Sequence, residues 1–181
     1  MRSTRNHGNL VGMATREPAV LISQDQFAPL KERALQAERL RVNHNFHPSM
    51  DDNLHRFLNV MAKGTYVPPH RHASTPKPES FLVLEGEVAL ILFDDSGVIE
   101  QIHILGASTD PRRWGIDLLA GVWHSLVVLS ETVVIFEVKP GPYVAASDKD
   151  FAPWAPREGD PETQAYLGEL LAAVERQSPK V

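Results

Sequence analysis

The chain contains no cysteine. Disulfides and thiolate metal sites are thereby excluded, and any metal ion must be held by histidine, aspartate or glutamate. No run of lysine or arginine is long enough to track a phosphate backbone, and 18 basic against 23 acidic residues leave a net charge of -5. Nucleic acid is therefore a poor candidate partner, and none is expected. Also missing is any stretch of about 20 apolar residues that would cross a membrane. The opening residues, "MRSTRNHGNLVGMATREP", lack the apolar core of a secretory signal. A cytoplasmic protein with no membrane partner is the expectation.

What is present is a chain of 181 residues with 43% hydrophobic content, enough for one compact domain that buries about 70% of its unfolded surface. "SQDQFAPLKERALQAERL" opens with a capping-box pair, Ser23 and Gln26, and places Phe27, Leu30, Ala34 and Ala37 at helical spacing. Pro29 does not suit a helix interior, so a short turn and then a helix from about Pro29 is predicted. "RVNHNFHPSMDDN" has no clean period and reads as a loop or polar arm. "LHRFLNVMAKG" fits either a helix face, through Leu54, Phe57, Leu58 and Met61, or a short strand from Phe57 to Met61.

From Ser80 onward the pattern is clearer. "SFLVLEGEVALILFDDSGVIEQIHIL" holds three apolar runs separated by "EGE" and "DDSG", and "WGIDLLAGVWHSLVVLSETVVIFEVKPGPY" adds three more. Short strands recurring roughly every ten residues, with no helix between them, predict an antiparallel sandwich or barrel. In the tail, "GDPETQAYLGELLAAVERQ", Asp160 is the expected N-cap and Pro161 the first helical residue. Tyr166, Leu167, Leu170, Leu171 and Val174 form its apolar stripe. Gly168 costs that helix about 1 kcal/mol relative to alanine, so it is expected to dock on the strands.

Chemistry concentrates in "GTYVPPHRHASTPKPESFLVLEG", residues 64 to 86. Alternation on a strand puts His70 and His72 on one face and turns Arg71 away. If the segment after "STPKP" is the neighbouring antiparallel strand, Glu79 returns beside the histidines and offers a carboxylate oxygen. A fourth ligand must come from a distant strand, and His124 in "AGVWHSLVV" is the best candidate, just after a Gly turn at the start of an apolar run.

The pattern formed by Gly64, His70, His72, Glu79 and Gly86 resembles the first motif of the cupins, with a longer gap before the glutamate, and "GVWH" resembles the second. Within the cupins the chain is most similar to the WbuC-type cupin fold metalloproteins. The likeness runs from about residue 23 to "KPGPY" and "FAPWAP" and includes "NFH" with Arg56 downstream, "YVPPHRH", "FLVLEG" and "FEVKPGPY". Departures are Leu119, where proline is usual, and Val128, where many cupins have asparagine; neither is a ligand position.

The resemblance implies a mostly β, single-domain cupin jelly-roll barrel with an N-terminal helix and arm and a C-terminal helix. It implies one divalent transition metal per chain held by His70, His72, Glu79 and His124, with Fe, Mn, Ni, Co and Zn equally suited to that donor set. The expected organisation is a disordered or extended tail over residues 1–22, in which residues 1–12 precede a second possible start at Met13. The helix and polar arm follow over 23–55, the cupin β-barrel over 56–144, and an extension with an amphipathic helix over 145–181. The implied function is that of a metal-dependent isomerase, lyase or oxygenase acting on a small polar, sugar-like or anionic molecule in bacterial surface polysaccharide metabolism. The alternative is a non-catalytic, metal-containing ligand-binding cupin.

Asn45, His47, Arg56 and Lys77 are the candidate substrate-binding residues, the first two because they match the WbuC-type pattern. Lys77 and Arg56 are chosen ahead of Arg71 as a cationic rim for an anion. His103 reads as an ordinary strand histidine, and His7 receives no role. Long apolar strands with an edge to hide make a homodimer the expected assembly.

Overall fold

In a computed structural model of the protein, residues 18–106 and 113–177 are described. The expectations for residues 1–17, His7 and Met13 among them, lie outside the described residues, as do those for residues 178–181. The first element, α1 (Gln24–Gln36), begins ahead of Pro29 rather than at it. Ser23 N–H donates to Gln26 Oε1 at 3.2 Å and closes the first turn before the proline is reached. Phe27, Leu30 and Ala34 are then buried against Leu58, Val60 and Val134. That burial offsets the intrahelical bond that Pro29 cannot donate.

Ten strands follow among the described residues: β1 (Arg41–Asn45), β2 (Leu54–Ala62), β3 (His70–Arg71), β4 (Glu79–Glu85), β5 (Glu87–Phe93), β6 (Ile99–Gly106), β7 (Gly115–Leu118), β8 (Trp123–Val128), β9 (Thr132–Pro140) and β10 (Asp150–Phe151). They form two five-stranded sheets, β1-β2-β9-β4-β7 and β10-β3-β8-β5-β6, and every pairing between named strands is antiparallel. The protein is thus mostly β. Among the described residues the sheets are not closed into a barrel by strand pairing, although an isolated bridge joins Gly106 of β6 to Arg113.

The expected loop over "RVNHN" is instead β1, because its backbone groups pair with β2 from Arg41 opposite Met61 to Asn45 opposite Phe57. Pairing with a long neighbour outweighs the weak propensity of an asparagine-rich segment. The ambiguous segment after it is the long strand β2.

The main core lies between the sheets, where Met61, Phe81, Val83, Val133 and Ile135 meet Val88, Leu90, Leu126 and Val128. β8 is buried on both faces, since Val127 and Trp123 join Ile91 and Phe93 in a second cluster beneath α2 (Thr163–Gln177). α2 starts at Thr163 rather than Pro161. Asp160 caps the preceding turn, accepting from Arg157 N–H at 2.7 Å, while its carbonyl takes Thr163 N–H at 3.1 Å. Leu167, Leu170 and Val174 dock in the second cluster. No helix among the described residues is long and apolar enough to cross a membrane.

Candidate metal centre

His70 on β3 stands opposite His124 on β8, and alternation brings His72 back to the same side as His70. Glu79 arrives differently from the expectation. β4 does not neighbour β3 but belongs to the other sheet, so Glu79 meets the histidines across the gap between the sheets. The four residues are buried and offer ligand atoms that all lie within 4.8 Å of one another. The cluster can hold one metal ion.

The hydrogen bonds around the rings decide what they present. His70 Nδ1 lies 2.9 Å from Pro68 O, His124 Nδ1 lies 2.9 Å from Val122 O, and His72 Nδ1 contacts Asp148 O. A carbonyl only accepts, so each Nδ1 carries a proton, and in the neutral ring each Nε2 is then left as a lone pair. His72 Nε2 and Glu79 Oε1 are buried with no hydrogen-bond partner among the described residues. Glu79 Oε1 nevertheless lies 2.9 Å from His124 Nε2 and 3.4 Å from His72 Nε2, which sets acceptors against an acceptor.

Either a proton or a cation must reconcile these groups. Burial, aided by the charge of Lys149, holds the His70 imidazole well below its ordinary range and opposes protonation there. Burial pushes the Glu79 carboxyl up, but hydrogen bonds and charge from His124 and His72 outweigh it and hold the carboxyl well below its ordinary range, an effect that needs a proton on one of those Nε2 atoms where no cation stands between them. Three neutral imidazole nitrogens and one carboxylate oxygen, each histidine oriented through its other nitrogen, fit a divalent transition metal. Such an ion supplies Lewis-acid polarisation or activation of a bound water.

His70, Glu79 and His124 line a cavity of about 520 Å³. Asn45 and His47, two of the predicted substrate residues, line it as well. His47 stacks on His55 with ring centroids 4.1 Å apart, and its Nε2 is buried without a partner among the described residues.

The other two predicted residues are placed elsewhere. On β2, His55, Phe57, Asn59 and Met61 point into the cavity, which turns Arg56 to the opposite face, into a groove with Phe46 and Phe136. Lys77 is buried behind the cavity wall, where its Nζ donates to Asp148 Oδ1 at 2.8 Å and to Pro142 O at 2.7 Å. Arg71 faces away from the centre, bound to Asp95 at 3.1 Å and lying over the Trp123 ring. His103 is hydrogen-bonded to Gln101 on its own strand.

Sequence reasoning missed a charged group on the cavity wall. Glu137, Lys139, Asp148 and Lys149 all line it, and Lys139 Nζ lies 3.3 Å from Asp148 Oδ2 and 3.8 Å from Glu137 Oε1. Glu137 Oε2 accepts from Asn59 Nδ2 at 3.2 Å. Burial and the nearby Glu79 raise the Glu137 carboxyl above the usual carboxylate range. Burial also raises Asp148, but Lys139 and Lys77 outweigh it and hold that carboxyl low. The signal for Glu137 and Lys139 was present: they continue the inward-facing series Val133, Ile135 along β9. No such signal marks Asp148 or Lys149, which precede the two-residue strand β10.

Comparison with known proteins adds the following. Residues 22–105 match a family described as a domain of unknown function, DUF6016; this segment includes His70, His72 and Glu79 but not His124. Among solved structures, the chain is similar to the capsular polysaccharide assembling protein CapF from Staphylococcus aureus, with 20% identity and a TM-score of 0.49 over 64% of this chain and 32% of that one. It therefore spans about a third of CapF. It is also similar to an RmlC-like cupin family protein with a double-stranded β-helix fold from Methanocaldococcus jannaschii, at 16% identity and TM-score 0.42, over 59% of this chain and 86% of that one. The Schizosaccharomyces pombe Cnp3 cupin domain gives 10% identity and TM-score 0.42, over 54% of this chain and 62% of that one.

Proposed function

We propose that the protein is a jelly-roll cupin in which His70, His72, Glu79 and His124 hold one divalent transition metal, and that the cavity beside it takes a small polar, anionic molecule. The strand pairings support the fold. β2 pairs with β9, β3 with β8, β4 with β7 and β5 with β6, as in one long hairpin, and rolling that hairpin adds the contacts of β9 with β4 and β8 with β5. The domain limits expected from the sequence, the cytoplasmic location and the homodimer belong to the same proposal.

The observation that carries the metal reading is the set of three histidines, each fixed through Nδ1 to a backbone carbonyl with Nε2 turned toward a buried carboxylate. If the ion is octahedral, the four protein ligands would leave two positions for water or substrate. The size of the cavity on the ligands favours a metal-dependent isomerase, lyase or oxygenase over an ion that only staples the sheets. On the WbuC-type resemblance, the setting proposed for that activity is bacterial surface polysaccharide metabolism.

Water-proton relaxation of the manganese-loaded protein tests the open positions. Exchangeable water on the ion is expected, followed by turnover or binding in a screen of sugar nucleotides and small keto compounds with and without oxygen. A centre with no exchangeable water would reject the catalytic reading and leave a structural metal.

A further inference from the structure

The charges around the cavity do not balance once the centre is loaded. Glu79, Glu137 and Asp148 supply three carboxylates, and Lys139, Lys149 and the Asp148-bound Lys77 supply three ammonium groups. Arg39, Arg41 and Glu158, which also line the cavity, add one net positive charge. A divalent ion would therefore bring two further charges that no group of the wall answers.

The lysines differ in how they are satisfied. Lys77 and Lys139 are committed to Asp148, at 2.8 and 3.3 Å. Lys149 lines the cavity half-buried, and among the described residues it takes part in no hydrogen bond or ion pair. Its direction follows from alternation. Asp150 turns outward to accept from Ala73 N–H at 3.0 Å and Ser74 N–H at 2.8 Å, while Phe151 turns inward, its ring 6.3 Å from that of His70. Lys149 shares the inward side with Phe151 and lies close enough to His70 for its charge to act on that ring. An ammonium group removed from bulk water and left unpaired is costly unless a ligand completes it.

We propose that Lys149 seats an anionic oxygen group, a carboxylate or a phosphate, of the ligand that reaches the metal centre. This rests on the reading of His70, His72, Glu79 and His124 as metal ligands. The ammonium of Lys149 donates to the anion, which answers the surplus charge and orients the remainder of the molecule toward the open positions of the centre. Lys139 cannot take this role without abandoning Asp148.

The test uses the full chain loaded with cobalt, its metal content measured first, and titrated with malonate and separately with inorganic phosphate by calorimetry and by the visible spectrum of the ion. Wild type is expected to bind at least one of them, malonate the tighter if the natural group is a carboxylate and phosphate if it is a phosphate. Lys149→Met should weaken that binding by about tenfold to a hundredfold, the loss of one charge-assisted hydrogen bond, at unchanged metal content. Lys149→Arg should restore most of it. Unchanged affinity in Lys149→Met, or a fully loaded wild type that binds neither anion, would overturn the proposal while leaving the metal reading intact. A chain that takes up no cobalt would remove both.

Discussion

His70 and His124 are cross-strand partners on β3 and β8, their rings 4.4 Å apart, and each donates its Nδ1–H to the carbonyl two residues earlier, at Pro68 and Val122. The same local device is used twice, fifty-four residues apart. Each ring is fixed by its own strand, so the pair is oriented before any ion arrives. Pre-orientation of this kind is what makes a histidine pair a chelate rather than two buried rings.

His124→Ala removes one of these rings, and metal affinity should fall by more than about 100-fold, the upper end of what losing only an outer-sphere partner costs. Competition against a chromogenic chelator measures it. Retained affinity would mean that the ion sits elsewhere.

Lys77→Met should act on stability. Lys77 and Asp148 are buried at 3% and 2% side-chain exposure, so the variant leaves Asp148 with Lys139 alone. Removing one partner of such a pair costs about 3–5 kcal/mol. Urea unfolding of the metal-free protein reports the loss, and Lys77→Met combined with Asp148→Leu should recover part of it. A wild-type midpoint in the single variant would contradict the assignment.

Apo stability should fall with acidification below pH about 6.5, the ordinary histidine value. Burial holds His70 well below that value, and burial together with His47 lowers His55. In this range the unfolded chain binds protons that the folded chain refuses, so unfolding free energy rises with pH, by about 1.4 kcal/mol per pH unit for each such proton. Asp148, whose folded value is depressed, adds stability above pH about 4 that is lost as pH falls through its folded value. Metal should steepen the acid loss, because protons then compete with the ion for the ligands. A flat apo profile between pH 6.5 and about 5 would show that the imidazoles are not held neutral.

Gly86→Ala should destabilise by at least about 1–3 kcal/mol, the ordinary cost of a strained backbone position. Gly86 has φ +82, and an added Cβ would lie 2.3 Å from Thr132 O and 2.6 Å from Ser130 Oγ. The turn between β4 and β5 cannot yield without moving the start of β9. A denaturation midpoint equal to wild type would count against this geometry.

The strands were legible because tight-turn residues punctuate apolar runs, and the ligand spacing was legible because alternation carries His70 and His72 together. What the sequence could not carry was which sheet each strand joins. Glu79 was expected from a neighbour of β3 and comes from the facing sheet, a choice made by the pairing of β4 with β9 and β7. β1 was hidden for a similar reason, since its strand state comes from β2 rather than from its own residues. Arg56 lies on β2, where apolar and polar residues do not alternate cleanly, so its own segment did not say which face the arginine takes. Lys77, by contrast, looks like any loop lysine until Asp148, seventy-one residues later, is brought against it.

Elemental analysis of the purified chain beside His72→Ala tests the metal centre most directly. Close to one transition-metal ion per chain is expected in wild type, and most of it should be lost in the variant while the circular-dichroism spectrum keeps its β signature. Equal occupancy in the two proteins, or no metal in wild type after loading, would contradict the centre described by His70, His72, Glu79 and His124.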